Sequence, residues 1–255
     1  MKYKDTVLPI IRATRNITLP SFGVAKITNE KSKHPADIVT EIDGAVELFL
    51  KQHLSEAYPD VTFVGEENGG DRSAERFWLV DPIDGTGHYL RGLPFCTTML
   101  ALIEHGVVTF SVVYDFVNDT MYWAERGEGA YCNDERIHVG TRTLAQSYLC
   151  VETKLQKEGN TERMIAIEKN AGYFHTISAG WEFAMIALGK LDARICFDAW
   201  GKDYDFAPGS LLVSEAGGIV TNIGSETYDY RNTDLIASNK VLHDEIEKLL
   251  ERAKN

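Results

Sequence analysis

The sequence lacks the features that mark several classes of protein. No run approaches the ~18 consecutive apolar residues of a membrane span, and Arg12 and Arg15 interrupt the N-terminal apolar stretch, which has no small-residue cleavage site. Positive charge is in the minority, because 26 Lys and Arg stand against 38 Asp and Glu, a net charge of −12. Nucleic acids and anionic membranes are bound mainly through Lys and Arg. We therefore expect a cytoplasmic protein with no nucleic-acid or membrane partner.

Cysteine is also scarce, and its positions argue against two kinds of cross-link. The cysteines form no CxxC pair and show no Cys-to-His spacing typical of zinc sites. A chain of this length can bury ~70–75% of its unfolded surface, so its core needs neither disulfides nor a structural metal. The cysteines are predicted to be small buried apolar residues in a reducing compartment. They are Cys96, Cys132, Cys150 and Cys196.

Hydrophobic periodicity predicts an α+β arrangement for the first half, residues 1–145. Residues 4–17 have helical spacing, and a second helix is predicted from Thr40, with Thr40 as N-cap and Asp43 three residues on. Apolar runs too short for a helix are predicted as buried strands. The strands expected here are Val61–Val64 and Phe77–Val80, followed by an antiparallel meander over residues 97–125.

The second half, residues 146–255, has an α/β pattern. No Pro/Ser-rich linker separates it from the first half, so the two halves are expected to pack tightly as one unit. The predicted strands are Tyr148–Glu152, Ala193–Phe197, Gly218–Thr221 and Asp234–Ala237, and the predicted helices lie near 161–170, 181–190, 205–216 and 240–253.

Three apolar runs lead into acidic residues. Side chains held at the ends of rigid elements are well placed for an active site, and the concentration of carboxylates argues against ordinary solvated turns. The residues are Glu66 and Glu67 in VTFVGEEN, Asp81 and Asp84 in FWLVDPIDGTG, and Asp203 and Asp205 in DYDFAPG.

The segment DPIDGT, residues 81–86, combines metal-binding and anion-binding features. Pro82 favours an extended Asp81 and predicts a sharp turn directly after the strand, across which Asp81 and Asp84 can converge on one cation. Gly85 permits close backbone approach, and a helix beginning here would bind an anion beside the metal. Hard oxygen ligands with no nearby cysteine favour Mg²⁺, or Mn²⁺, over zinc.

Converging carboxylates repel one another, and this repulsion raises at least one pKa unless cations are bound. A site with roughly two or three divalent ions can bridge a phosphate, lower the pKa of a bound water and stabilise a leaving alkoxide. The acidic segments therefore predict phosphoester hydrolysis.

Several segments together carry a resemblance to a known family. They are GEE at 65–67, WLVDPIDGTGHYLRGLPF at 78–95 and YDFAPGSLLVSEAGG at 204–218, with PADIVTEID at 35–43 and RGEGAYCNDERIHV at 126–139. These segments resemble the motifs of the inositol monophosphatase family, the lithium-sensitive, magnesium-dependent phosphatases. The resemblance covers most of the chain and implies a layered αβαβα sandwich of the sugar-phosphatase type that forms a homodimer.

The resemblance also implies a role for individual residues. Thr86, hydrogen-bonded to Asp43, would orient and help deprotonate the attacking water, and the backbone N–H groups of Gly85 and Thr86 would hold the phosphate. Glu66 would act both in catalysis and as a ligand, and Glu67 would lie in the outer shell of the site. The implied metal ligands are Glu66, Asp81, the Ile83 carbonyl, Asp84 and Asp205.

The chain departs from the family pattern at positions near the leaving group. His88 follows Thr86 within Gly87-His88-Tyr89, where the family commonly has Thr-Asn-Phe or a similar triplet. Tyr204 replaces a usual tryptophan, and Asp198 stands where inositol-specific members carry a glutamate that contacts sugar hydroxyls. We expect His88 and Asp198 to contact the substrate.

The substrate is predicted to be inositol monophosphate or a related polyol or sugar phosphate. Histidinol phosphate, fructose 1,6-bisphosphate and a nucleotide 3′-phosphate remain alternatives for the same site. A non-catalytic regulatory binding protein on the same fold is an alternative of a different class. A dehalogenase-type phosphatase is disfavoured because Pro82 occupies the position of its nucleophilic aspartate. Residues 29–35 or 68–72 could form a lid, a question that the sequence leaves open.

Overall fold

The computed structural model describes residues 2–30 and 38–253. Within these residues the chain forms eight α-helices and fourteen β-strands. The helices are α1 (Lys4–Ala13), α2 (Arg15–Thr18), α3 (Glu41–Ala57), α4 (Thr86–Tyr89), α5 (Asn160–Asn170), α6 (Ala179–Ala187), α7 (Asp203–Glu215) and α8 (Lys240–Arg252). The strands are β1 (Ile27–Glu30), β2 (Ile38–Thr40), β3 (Thr62–Gly65), β4 (Arg76–Asp84), β5 (Thr97–Glu104), β6 (Val107–Asp115), β7 (Thr120–Glu125), β8 (Gly129–Cys132), β9 (Glu135–Arg136), β10 (Tyr148–Thr153), β11 (Gly172–His175), β12 (Ala193–Phe197), β13 (Ile219–Asn222) and β14 (Leu235–Ser238).

The larger sheet has seven strands in the order β3-β4-β5-β6-β7-β8-β9. β3 is parallel to β4, and the other neighbours are antiparallel, which confirms the predicted meander. Successive residues of β5 alternate between two apolar layers, with Met99 and Ala101 on one side and Leu100 and Leu102 on the other. Both faces are buried, so β5 is continuously apolar from Met99 to Ile103.

Besides the two-stranded antiparallel sheet β1-β2, a smaller sheet has five strands in the order β11-β10-β12-β14-β13. β10 is parallel to both β11 and β12, and the pairs β12–β14 and β13–β14 are antiparallel. Four of these strands were predicted, and the edge strand β11 was not. Its four residues are exposed or only partly buried, so they carry little of the apolar pattern that identifies a strand.

The helices complete five layers around the two sheets. α1 and α3 cover one face of the larger sheet, where Val46 of α3 belongs to the same apolar cluster as Trp78 of β4. α6 and α7 lie between the sheets and share a cluster with residues of both. α5 and α8 cover the outer face of the smaller sheet, where Ile246 packs with Ile195. The αβαβα layering implied by the resemblance is thus confirmed.

The division into halves at residue 145 stays a prediction. The larger sheet contains only residues of the first half, and the smaller sheet only residues of the second. However, α6 and α7 belong to the second half and pack against the larger sheet, so the middle apolar layer is built by both parts.

The N-terminus of α3 forms the predicted cap and positions a functional side chain. The N–H and hydroxyl groups of Thr40 donate to Asp43 Oδ2 at 2.8 and 2.5 Å, and the Thr40 hydroxyl accepts from the N–H of Ile42 at 3.2 Å. This reciprocal capping box uses one carboxylate oxygen of Asp43 and leaves the other to accept a hydrogen bond from Thr86.

The DPIDGT segment differs from the sequence prediction. β4 continues through Pro82 to Asp84 instead of ending in a turn, and its register against β5 shifts between Asp81 and Asp84. Proline has no N–H for the ladder, and a strand tolerates it at such an irregularity. The turn comes at Gly85, where φ is +81°, and the four-residue helix α4 follows.

Two other sequence predictions also need correction. The predicted helix over 4–17 divides into α1 and α2 at Thr14. Three cysteines are buried as expected, whereas Cys132 is only partly buried, and none of the four forms a disulfide. None of the helices in the described ranges has the length and apolar character needed to span a lipid bilayer.

Of the two candidate lid segments, the structure describes only one completely. Residues 31–35 of the predicted loop 29–35 lie outside the described residues. The segment 68–72 begins as a hydrogen-bonded turn, in which Gly65 and Gly69 exchange backbone hydrogen bonds of 3.0 and 3.1 Å. The Asn68 side chain donates to the buried Glu47 carboxylate at 2.7 Å, which ties this turn to α3.

Candidate active site

A cavity of about 910 Å³ lies where the two halves of the chain meet. The carboxyl end of β4, the helix α4, the segment before α6 and the start of α7 all contribute to its wall. Its volume is near the upper end of the ~300–1,000 Å³ range of small-molecule sites. The cavity is therefore large enough for a phosphorylated metabolite.

Three carboxylates converge at one end of the cavity. Asp81, Asp84 and Asp205 each present an oxygen, and these oxygens all lie within 4.8 Å of one another. In a regular strand, residues three apart point to opposite faces, so Asp81 and Asp84 would diverge. The register shift between them re-aims one side chain, and both then face Asp205 at the start of α7.

The electrostatics of this cluster suit a divalent cation. Burial raises the pKa of Asp81 well above its ordinary value, and repulsion from Glu66, Asp205 and Asp84 raises it further. The pKa of Asp205 is raised in the same way, by burial and then by Asp84 and Glu66. The buried Oδ1 atom of Asp81 has no hydrogen-bond partner among the described residues. An unpartnered oxygen in a repulsive, all-oxygen donor set is the environment that Mg²⁺ or Mn²⁺ stabilises.

Asp84 is held in place from the opposite wall. Its Oδ2 accepts from the Ser178 hydroxyl at 2.5 Å and from the Gly180 N–H at 2.8 Å, and its Oδ1 accepts from the Ala179 N–H at 3.3 Å. Burial raises the pKa of Asp84, and these hydrogen bonds oppose that shift. The start of α6 therefore orients a side chain of β4 across the boundary between the halves.

Thr86 and Asp43 form the hydrogen-bonded pair that the resemblance implies. The Thr86 Oγ1 lies 3.1 Å from Asp43 Oδ1 and 2.9 Å from the Ile83 carbonyl oxygen. Burial is the largest cause of the raised pKa of Asp43. A hydroxyl that donates to a carboxylate keeps lone pairs for a water, so this pair can receive a proton from a molecule in the cavity.

The turn between β4 and α4 exposes backbone N–H groups. A side chain at Gly85 would place its Cβ 2.4 Å from the Phe95 carbonyl oxygen, so only glycine fits. Thr86 is the first residue of α4, and the first N–H groups of a helix have no partner within it. Gly85 and Thr86 can therefore present donors to an anion beside the carboxylates.

Two of the remaining predicted site residues, His88 and Glu66, line the cavity, and Glu67 is described by its backbone contact. His88 lines the cavity as expected, and burial lowers its pKa. Glu66 also lines the cavity. The Glu67 N–H donates to the Glu47 carboxylate at 2.8 Å, and its proposed place in the outer shell stays a prediction.

Asp198 is the one predicted substrate contact that the structure does not bring to the cavity. Its carboxylate accepts from the Asn160 side chain at 2.9 Å, and its N–H donates to Asp234 at 2.8 Å. Its φ of +53° turns the chain after β12, so spacing along the sequence did not indicate where the side chain lies.

Sequence reasoning missed a second part of the cavity wall, which is rich in basic residues. Arg194 offered a signal, since it is a single charged residue inside the apolar strand ARICF. The missed wall residues are Arg91, Glu152, Lys154, Arg194, Trp200 and Lys202.

Comparisons with known proteins agree with this geometry. Fructose-1,6-bisphosphatase/inositol-1-monophosphatase of Thermotoga maritima is 32% identical over 251 residues, covering 96% of this chain and 94% of the relative. Inositol monophosphatase 1 of Bos taurus is 31% identical over 228 residues, with coverages of 84% and 82%. Nus factor SuhB of Xylella fastidiosa is 31% identical over 226 residues, with coverages of 85% and 82%.

Solved structures show the same fold. The Thermotoga maritima IMPase superposes with a TM-score of 0.89 at 27% identity, covering 100% of this chain and 98% of its own. The extragenic suppressor protein suhB of Bartonella henselae superposes with a TM-score of 0.90 at 26% identity, with coverages of 99% and 99%. The family model described as the inositol monophosphatase family matches residues 7–255. The chain belongs to the inositol monophosphatase family.

Proposed function

We propose that this protein is a Mg²⁺-dependent phosphatase that hydrolyses a small phosphomonoester. The observation that carries the proposal is the convergence of Asp81, Asp84 and Asp205 in a cavity that Thr86 also lines, with the Thr86 hydroxyl hydrogen-bonded to Asp43. Family membership supports phosphatase activity, and the geometry supplies the groups that this chemistry needs.

The donor set fits hard cations. Asp81, Asp84, Asp205 and Glu66, with the Ile83 carbonyl, would hold roughly two or three Mg²⁺ ions, and Mn²⁺ fits the same oxygen ligands. When bound, such ions act as Lewis acids on the phosphoryl group, lower the pKa of a water and stabilise the leaving alkoxide.

The protein's own residues position the water and the phosphate. Thr86 accepts a hydrogen bond from the water while its hydroxyl donates to Asp43, and the raised pKa of Asp43 makes that carboxylate a better proton acceptor. The N–H groups of Gly85 and Thr86 hold the phosphate oxygens. Glu66 lies in the same cavity wall and assists as a ligand and as an acid–base group.

The leaving group is proposed to be a polyol or sugar. The Thermotoga relative is named for fructose 1,6-bisphosphate and inositol 1-phosphate, which supports this class. Histidinol phosphate and a nucleotide 3′-phosphate remain alternatives within the volume of the cavity. A homodimer, a cytoplasmic location and the absence of a nucleic-acid partner also remain predictions.

The test is phosphate release from these substrates with and without Mg²⁺. Asp84→Asn should reduce kcat by more than ~10³-fold, because removing a ligand charge costs several kcal/mol of transition-state stabilisation. Asp203→Asn is the matched control, since its carboxylate pairs with Arg72 and does not line the cavity. An Asp84→Asn variant within tenfold of wild type would overturn the metal assignment.

A regulatory role without catalysis is the competing outcome. The relatives named Nus factor SuhB leave that role open. It would be favoured if the wild-type protein bound Mg²⁺ but released no phosphate from any substrate of the panel.

A further inference from the structure

A buried ion cluster lies behind the cavity and connects its two walls. Arg194 sits in the middle of β12, paired in register with Cys150 of β10 and Ala237 of β14, and its side chain is 1% exposed. Its guanidinium lies over the rings of Phe183 and Phe206, with distances to the ring centres of 5.4 and 5.1 Å. A charge this deeply buried needs partners of opposite charge.

Two buried glutamates provide those partners. Arg194 pairs through Nη1 with Glu182 of α6 and through Nη2 with Glu152 of β10. Neither glutamate side chain is more than 5% exposed. The planar guanidinium presents donors in a fixed fork, so one arginine can bridge carboxylates that belong to different elements.

On one side of the cluster, Glu182 connects Arg194 to the proposed metal ligand Asp84. We call this side the Glu182 arm. The Glu182 Oε1 accepts from the N–H groups of Ile177 and Ser178 at 2.5 and 3.4 Å, and both oxygens lie near the Thr176 hydroxyl. These contacts fix the segment whose Ser178 hydroxyl donates to Asp84. The path from Arg194 to Asp84 therefore consists of consecutive hydrogen bonds.

On the other side, the Glu152 arm connects Arg194 to the proposed metal ligand Asp205. The Glu152 Oε1 accepts from the N–H groups of Trp200 and Gly201 at 2.7 and 2.8 Å. The next residue, Lys202, donates its N–H to Asp205 Oδ2 at 2.5 Å. A Cβ at Gly201 would lie 3.2 Å from that same oxygen, so this loop packs directly against the ligand.

We propose that Arg194 is a positioning residue that holds Asp84 and Asp205 at the separation needed to share metal ions. Asp84 is on the larger sheet and Asp205 is on a helix of the middle layer, so their distance depends on packing between elements and not on a single element. Arg194 adds a polar constraint to this apolar packing, because it pairs with Glu182 on the side of Asp84 and with Glu152 on the side of Asp205. This inference rests on the proposed metal centre.

Three variants test the two glutamates and the planar guanidinium of Arg194 separately. Glu182→Gln and Glu152→Gln each replace a carboxylate by an amide, which cannot accept at both ends and so loses either Arg194 or the backbone N–H groups. Arg194→Lys keeps the charge but loses the fork. Groups that orient metal ligands typically contribute roughly 10–100-fold to metal affinity, and we expect a loss of this size for Mg²⁺ in each variant.

The control is an ion pair next to the cluster but outside the cavity wall. Arg142 donates to the buried Asp192 at 2.7 Å, directly before β12, and neither residue lines the cavity. Arg142→Gln is expected to lower the melting temperature without changing Mg²⁺ affinity. This control separates a positioning role from a general loss of stability.

Mg²⁺ affinity is measured by titration calorimetry on folded protein, without turnover. A wild type that binds no Mg²⁺ or Mn²⁺ would refute the proposed function itself. A wild type that binds Mg²⁺, with Glu182→Gln and Glu152→Gln binding it equally well, would overturn the positioning role alone. Full affinity in Arg194→Lys would also overturn it, because charge without the fork would then be sufficient.

The Glu152 arm has a second readout that needs no metal. Trp200 is 49% exposed and its backbone N–H donates to Glu152, whereas Trp78 and Trp123 are buried and Trp181 is partly buried. Glu152→Gln should increase acrylamide quenching of the Trp200 fluorescence, obtained as the difference from a Trp200→Phe background. Unchanged quenching in Glu152→Gln would show that Glu152 does not hold this loop.

Discussion

Replacement of Asp81 by asparagine should have opposite effects on stability in the absence and presence of Mg²⁺. Asp81 is buried, one of its oxygens has no hydrogen-bond partner among the described residues, and the other carboxylates of the cluster face it. In the metal-free protein, the substitution removes repulsion and adds an amide donor next to Asp205. In the metal-bound protein, it removes a ligand. The two effects arise from the same charge and have opposite signs.

The size of the stabilisation expected for Asp81→Asn without metal follows from the distances between the carboxylate oxygens. Unit charges within 4.8 Å repel by at least about 3 kcal/mol at an effective dielectric constant of about 20. Partial protonation relieves some of this repulsion, since the pKa values of Asp81 and Asp205 are raised. We therefore expect metal-free Asp81→Asn to be about 1–3 kcal/mol more stable than wild type at neutral pH. Each kcal/mol corresponds to a shift of about 2–4 °C in Tm.

The dependence on pH has a definite sign. The folded protein binds a proton at Asp81 more tightly than the unfolded chain does, because the pKa is raised on folding. The contribution of Asp81 to the stability of the metal-free wild type should therefore be fully present below the unfolded pKa of about 3.9 and should be lost as pH rises through its raised folded pKa. Asp81→Asn removes this contribution and should flatten the profile.

The assay is thermal unfolding of both proteins in EDTA and in excess Mg²⁺. Mg²⁺ should raise the Tm of wild type, as for any ligand that binds only the folded state, and should raise that of Asp81→Asn much less. Asp203→Asn, which removes a charge outside the cavity, should gain no stability in EDTA. A metal-free Asp81→Asn protein that melts below wild type would refute the reasoning.

The remaining predictions concern residues around the cluster. Thr86→Ala and Asp43→Asn should each lower kcat in steady-state kinetics. The double variant should lose much less than the product of the two losses, because the effects of residues that act as a unit are non-additive. Multiplicative losses would show that the two residues act independently. Gly85→Ala should destabilise the fold by about 1–3 kcal/mol in denaturant titrations, since φ is +81° and the Cβ would meet a carbonyl oxygen; unchanged stability would contradict this packing. Asp198→Ala should lose about 1–3 kcal/mol of stability, because the Asp198 carboxylate accepts a hydrogen bond from Asn160 outside the cavity. The variant should change kcat/KM by the same factor for a polyol phosphate and for p-nitrophenyl phosphate. A selective loss for the polyol phosphate would support the predicted contact between Asp198 and the substrate. Lithium should inhibit phosphate release at high Mg²⁺, as the family resemblance implies, and full activity in lithium would refute this prediction.

Local sequence determined the elements and the chemical type of the site. Thr40 and Asp43 lie within one helical turn, so the capping box could be predicted from four residues. The strands around Trp78 and Ile195 were recognisable because their apolar runs are short and bounded by polar turns. The acidic motifs indicated an oxygen-ligand metal site because ligand hardness depends only on residue type.

Only the tertiary structure decided how distant residues meet. Asp81 and Asp84 converge because the register of β4 shifts between them, and that shift depends on pairing with β5. The surroundings of Asp198 also depend on the tertiary structure, because its backbone has a positive φ after β12 and its carboxylate accepts from Asn160 of α5. Arg194 shows no function in the sequence of its own strand, since its partners come from β10 and α6. Sequence spacing determines geometry only within a turn or a few strand residues; beyond that range, sheet register and layer packing set the distances on which function depends.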